Sequence, residues 1–182
     1  MATGHVFIAT TLDGFVARED HALDWLMKQS IEGEDHGYDE FVGRMDGIVM
    51  GRGSYEAVLG FENWPYKKPV VVLSKTLTRA DVPDALKGKV RVTASDPAQV
   101  MKELEAEGWS HAYVDGGKVV QSFIRAGLVD DIVLTQIPIL IGAGLRLFGE
   151  IAADIDLELV SSRTFNSGLV QSHYRLATAV DG

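Results

Sequence analysis

Apolar residues fall along this chain in short runs set off by polar turns, and the runs alternate between strand-like and helix-like spacing. Residues 5–12 (HVFIATTL) are apolar and rich in β-branched side chains, which predicts a buried strand. Asp13-Gly14 turns the chain, and Phe15-Val16-Ala17 continues the strand weakly. Residues 18–37 are polar and loop-like, broken only by Leu23-Asp24-Trp25-Leu26-Met27. Residues 38–45 predict a short helix burying Phe41, Val42 and Met45, and residues 47–50 a strand. Ser54 is suited to start a helix at Tyr55 that reaches Leu59. Residues 69–73 (PVVVL) form a strand with proline at its first position, where a missing N–H is tolerated. Residues 90–93 are another strand, and Asp96-Pro97 opens a helix in the favoured cap-then-proline order, ending at Gly108. A strand at 111–114, a turn at Asp115-Gly116-Gly117 and a helix at 118–126 follow, with Gly127 placed to end that helix. Residues 131–138 make a long strand, and 155–165 with 169–177 alternate as a hairpin around Asn166-Ser167-Gly168.

Strands that alternate with helices imply a mostly parallel sheet covered on both faces, and the terminal hairpin adds antiparallel strands. The expectation is an α/β fold in one domain spanning residues 1–182, with no repeat or linker. Polar residues 74–89 are too few to divide domains.

Composition narrows the function classes. The net charge of −9 argues against nucleic acid or an anionic membrane surface as a partner, yet a few local cations can still dominate a pocket for a small anion. The absence of cysteine excludes disulfides, thiol catalysis and thiolate metal sites. No basic leader with a long apolar core opens the chain, and no apolar run approaches about 18 residues, so a cytoplasmic protein is expected.

Four turns could carry chemistry. Gly51-Arg52-Gly53-Ser54 joins a strand to a helix, whose start offers unpaired N–H groups and the positive end of its dipole, with the Arg52 fork alongside. Asp115-Gly116-Gly117-Lys118 repeats this arrangement. Either could be an ordinary tight turn, but two at the carboxyl ends of parallel strands suit a dinucleotide's pyrophosphate. Ser74-Lys75 could hold a further phosphate, although alone it reads as a surface loop. Asp13 could orient a polar substrate group or merely stabilise its turn.

Other patterns are set aside. Gly142-Ala143-Gly144 has its next glycine at Gly149, two positions too late for a dinucleotide fingerprint. Gly51-Arg52-Gly53-Ser54-Tyr55 is no nucleophile elbow. The five histidines, at 5, 21, 36, 111 and 173, lack metal-ligand spacing, so no metal site is expected. Asp130-Asp131 reads as a solvated connection.

In order along nearly the whole chain stand TTLDGFVA (10–17), MGRGSYE (50–56), VLSK (72–75), DGGKV (115–119) and LVDDIVLTQIPILIGAGLRLF (128–148). Together they resemble the dihydrofolate reductase superfamily. The leucine-aspartate-glycine and Pro-Ile-Leu-Ile-Gly-Ala-Gly segments are most similar to the branch built like the C-terminal reductase domain of the bifunctional riboflavin-biosynthesis deaminase–reductase. The resemblance implies a dihydrofolate-reductase-like three-layer domain, with helices flanking a mixed, mostly parallel sheet. It also implies NADPH as hydride donor to a small-molecule substrate of pterin or ribosylaminopyrimidine class. Arg52, Ser74 and Lys75 would hold the adenosine 2′-phosphate. Backbone groups at Gly51 to Ser54 and at Gly116, Gly117, Lys118 and Val119 would cradle the pyrophosphate. Ala9 and Val16 would flank the nicotinamide. Ser54 replaces the threonine usual in the family and keeps its hydroxyl.

The family's proton donor is a buried acid before the MGR strand. The comparable stretch here, residues 35–40, offers Asp35, for which a solvated acidic face is the competing reading. Asp13 is the alternative catalytic or substrate-contacting acid, and Trp25 either walls the pocket or is simply packed. Nothing in these residues matches the deaminase domain's zinc signature, so a dedicated riboflavin role is less expected than in the fused protein. A nucleotide-binding module with vestigial catalysis is the non-enzymatic alternative. Relatives are often homodimers, and apolar residues 138–148 suit either an interface or the core.

Overall fold

Valine and isoleucine alternate faces along the central strands, and each face found its own set of helices. In the computed structural model, which describes residues 1–177, eight strands form one sheet in the order β5-β4-β3-β6-β1-β7-β10-β9. These are β1 (Thr3–Thr11), β3 (Gly47–Gly51), β4 (Val70–Leu73), β5 (Val90–Thr93), β6 (His111–Asp115), β7 (Val129–Ile137), β9 (Leu157–Thr164) and β10 (Val170–Leu176). All neighbouring pairs are parallel except β7–β10 and β10–β9, which confirms the expected mostly parallel sheet with its antiparallel C-terminal hairpin. A separate two-stranded ribbon pairs β2 (Phe15–Ala17) with β8 (Leu145–Arg146).

The period-two alternation sorts the core into two layers. Val6, Val49, Val71, Ala112 and Val114 face α4 (Pro97–Ala106) and α5 (Gly117–Arg125), packing on Val100, Leu104, Val120 and Phe123. Ile48, Met50, Val70, Val72 and Tyr113 face the opposite way, onto Phe41 of α2 (Tyr38–Gly43) and Tyr55 of α3 (Arg52–Leu59). Each fully buried aliphatic or aromatic side chain contributes about 1.5–3 kcal/mol. A smaller cluster joins Trp25 of α1 (Asp24–Met27) to Ile137 and Leu169.

One local expectation is corrected. Ser54 does not start its helix. Gly51 is the N-cap in extended geometry, α3 begins at Arg52, and Ser54 sits inside the first turn. The link from β4 to β5 carries 3₁₀ turns at Arg79–Asp81 and Asp84–Leu86, and Val82 and Leu86 are buried against the sheet. Among the described residues no helix is long and apolar enough to cross a membrane.

Candidate active site

β3 and β6 are adjacent parallel strands, so the turns that leave their carboxyl ends lie side by side. One feeds α3 and the other α5, and neither helix has a side-chain cap on its first N–H groups. Uncapped helix starts are anion sites by construction. The turns interlock closely. A β-carbon on Gly116 would lie 2.6 Å from Ser54 Oγ, and one on Gly51 would lie 2.9 Å from Val119 Cγ2. Gly116 has φ +96°, a conformation that disfavours any side chain. Val16 closes the third side, its Cγ2 lying 3.0 Å from where a Gly117 β-carbon would stand. Ala9 is partly buried on β1, one strand away.

Arg52 and Ser74 both bond Thr76 at the outer edge of this cradle, and Lys75 lies between Ser74 and Thr76 in the same turn. The Arg52 side chain is half-exposed, with Nε donating to Glu56 Oε1 at 2.7 Å and Nη1 to Thr76 Oγ1 at 2.8 Å. Ser74 Oγ accepts from the N–H groups of Thr76 (3.2 Å) and Leu77 (3.0 Å), which fixes the turn after β4. Lys75 and Lys118 are exposed at the two rims. Thr76, which the sequence reading passed over, ties Arg52 to the Ser74 turn.

The leucine-aspartate-glycine motif serves the segment at 138–148. Asp13 accepts from the N–H of Gly142 at 2.8 Å and of Ile141 at 3.2 Å. The Thr11 hydroxyl, opposed by burial and aided by these N–H groups, holds the Asp13 carboxyl below its ordinary value. Gly144 must pass Ala17, whose carbonyl oxygen lies 2.4 Å from the position of an added β-carbon. Leu147 N–H then donates to Gly14 O at 3.1 Å, and Gln121 Nε2 fastens Arg146 O to α5 at 2.9 Å. The two motifs therefore form one unit, with β2 and β8 as its ribbon.

Two expected site residues, Asp35 and Trp25, are placed away from such duties, and the reading of Asp130-Asp131 is corrected. Asp35 is exposed and accepts from its own Gly37 N–H at 2.8 Å, a local turn before α2, so the solvated reading holds. Trp25 is 0% exposed and packed, so it offers no wall to a ligand. Asp131 belongs to β7, opposite His5, so Asp130-Asp131 is not the solvated connection expected.

Asp115 was read only as part of a turn, yet its titration is altered in the opposite sense to that of Asp13. Burial pushes its carboxyl up to about 6, partly offset by the Gly116 N–H that donates to it at 2.9 Å. Tyr38, Tyr66 and Tyr113 lie in its field. Burial, together with the Asp115 charge, raises Tyr38 to about 12 and the other two well above the ordinary tyrosine value. An acid followed by paired glycines at a strand's end was the available sequence signal; the three tyrosines come from distant segments.

The family model for the RibD C-terminal domain matches residues 2–171. The crystal structure of a putative riboflavin biosynthesis protein from Shewanella sp. PV-4 is 37% identical, covers 96% of this chain and 99% of its own, and superposes with a TM-score of 0.89. The uncharacterized protein YwjB of Bacillus subtilis is 31% identical over 174 residues, 93% of this chain and 95% of that protein. A Thermotoga maritima diaminohydroxyphosphoribosylaminopyrimidine deaminase/5-amino-6-(5-phosphoribosylamino)uracil reductase shares the fold at 15% identity and TM-score 0.72, with this chain spanning 57% of its length.

Proposed function

The chain belongs to the RibD C-terminal domain family and is a reductase of that kind, and from this premise we propose that it is an NADPH-dependent oxidoreductase acting on a small pterin- or pyrimidine-like heterocycle or a related carbonyl or imine. The observation that carries the proposal is the pair of uncapped helix starts set side by side by β3 and β6. That spacing of donors suits two linked phosphates better than one. The tight contact of Gly116 with Ser54 leaves a smooth backbone surface there.

NADPH, when bound, supplies the hydride; the protein supplies position, polarity and a proton. The α3 and α5 N–H groups would take the pyrophosphate. Arg52, with Thr76, Ser74 and Lys75, would take the 2′-phosphate, a role suited to a guanidinium fork. Val16 and Ala9 would flank the nicotinamide. Asp115, with a carboxyl that titrates near neutrality beside the cradle, is the acid we assign to hold and deliver the proton. Asp13 acts through the loop it ties.

The test is a fluorescence titration with both nicotinamide cofactors, followed by turnover assays on pterins and on the ribosylaminopyrimidine. NADPH should bind at least about tenfold more tightly than NADH, given an added charged hydrogen bond. Equal affinity or no binding would defeat the proposal, and tight binding with no turnover of any substrate would favour the vestigial module.

A homodimer is also proposed. Edge strand β9 is exposed along its length, with Leu157, Leu159 and Val160 between 43% and 55% exposed, and Phe148 and Ile151 also stand open. Bare apolar edges invite pairing. Light scattering of the wild type should give twice the chain mass, and Leu159→Lys should give one.

A further inference from the structure

The scatter of histidines along the sequence does not survive folding. At the amino-terminal ends of β1, β6 and β7, opposite the cofactor turns, His5 of β1 meets Asp131 of β7 and is backed by His111 of β6, while His173 of the neighbouring strand β10 reaches the same carboxylate. The cause is a register shift. Gly4 pairs with Val129 but His5 pairs with Asp131, so Asp130 is an extra residue bulged out of β7. Bulges re-aim side chains, and this one brings two consecutive carboxylates within reach of one imidazole. Ligand atoms of His5, Asp130 and Asp131 all lie within 4.8 Å of one another.

We propose that His5, Asp130 and Asp131 form a binding site for a divalent transition-metal ion of the zinc class. His5 Nδ1 and Asp131 Oδ1 are 3.1 Å apart. Two ligands at about 2.0–2.1 Å from one zinc ion stand roughly 3.0–3.4 Å apart in near-tetrahedral geometry, so the pair needs little adjustment. His5 is 7% exposed, which holds its ring in one place.

The other ring nitrogen is already supported, since Nε2 lies 3.0 Å from His111 Nδ1 and 2.9 Å from Thr3 Oγ1. With the metal on Nδ1, the ring proton resides on Nε2 and is donated to those acceptors, the outer support that metal-bound histidines generally have. His173 Nε2 lies 3.3 Å from the second Asp131 oxygen and steadies that carboxylate. An imidazole among the donors favours zinc, nickel or cobalt over magnesium or calcium.

The experiment uses the full chain without an affinity tag, stripped by chelator and titrated with Zn²⁺ by calorimetry, with Co²⁺ absorption reporting the ligand field. One ion per chain and a raised Tm are expected. Asp130→Asn and His111→Ala should each weaken binding at least about tenfold, whereas His21→Ala, outside the cluster, should not. Uptake of no ion, or binding by Asp130→Asn equal to wild type, overturns the proposal. If Asp130→Asn does not fold by circular dichroism, the His111→Ala titration decides in its place, because His111 is exposed.

Discussion

The Ser54 hydroxyl oxygen lies 2.6 Å from the point a β-carbon on Gly116 would occupy, and so joins the start of α3 to the start of α5. Gly116 also has φ +96°, so substitution meets both overlap and backbone strain. Gly116→Ala should cost about 1–3 kcal/mol from strain alone. It should also push the two helix starts apart. Calorimetric unfolding should show the stability loss, and an NADPH titration should show affinity reduced more than tenfold. A variant that is destabilised but binds NADPH normally would separate the turn from the cofactor.

Arg52 forms an exposed i,i+4 ion pair with Glu56, which contributes little to stability. Removing the guanidinium should therefore matter for binding rather than folding. Arg52→Ala should leave Tm nearly unchanged and weaken NADPH by about 1.5–3 kcal/mol, with far less effect on NADH. The loss should shrink at high salt. Equal weakening of both cofactors would show that Arg52 does not read the 2′-phosphate.

Asp13 and Asp35 were both candidate acids, and the fold gives them different duties. Asp13 ties Ile141 and Gly142, whereas Asp35 closes only its own turn. Asp13→Asn should lower Tm more than Asp35→Asn. The folded carboxyl of Asp13 sits below 3.8, so its contribution is present above that pH and disappears as pH falls through the depressed value. The Tm gap between wild type and Asp13→Asn should therefore close in strong acid. A gap that persists there would assign the effect to shape rather than to charge.

What the sequence disclosed followed the range of each signal. Strands such as β4 were legible because runs like Val70-Val71-Val72 announce themselves locally. The glycine turns were legible because a strand, a turn and a helix start lie within a few residues. The helix boundary at Arg52 was missed because Ser54 is a good cap in general, while the extended Gly51 held that place here. β8 has two residues and exists only through pairing with β2. The setting of Asp115 and the gathering of His5, His111 and Asp131 are tertiary, and no local spacing encodes them.

Asp115 offers the sharpest pH test. Its carboxyl titrates near 6 in the folded chain against an ordinary value of 3.8, because burial disfavours the charge. The stability this gives is complete below 3.8 and is lost as pH rises through about 6. At neutral pH wild type thus carries a penalty on the order of 2–3 kcal/mol. The side-chain amide of Asp115→Asn would have no such charge and would still offer an oxygen to the Gly116 N–H. The stability of Asp115→Asn relative to wild type should therefore rise between pH 4 and pH 7, roughly by that amount. If Asp115 also delivers the proton, wild-type kcat should fall about tenfold per pH unit above 6. Asp115→Asn should be slow at every pH, with NADPH affinity intact. A wild-type kcat that stays flat from about pH 5 to 8, with the stability trend still present, would leave Asp115 a strained core acid and return the proton to solvent.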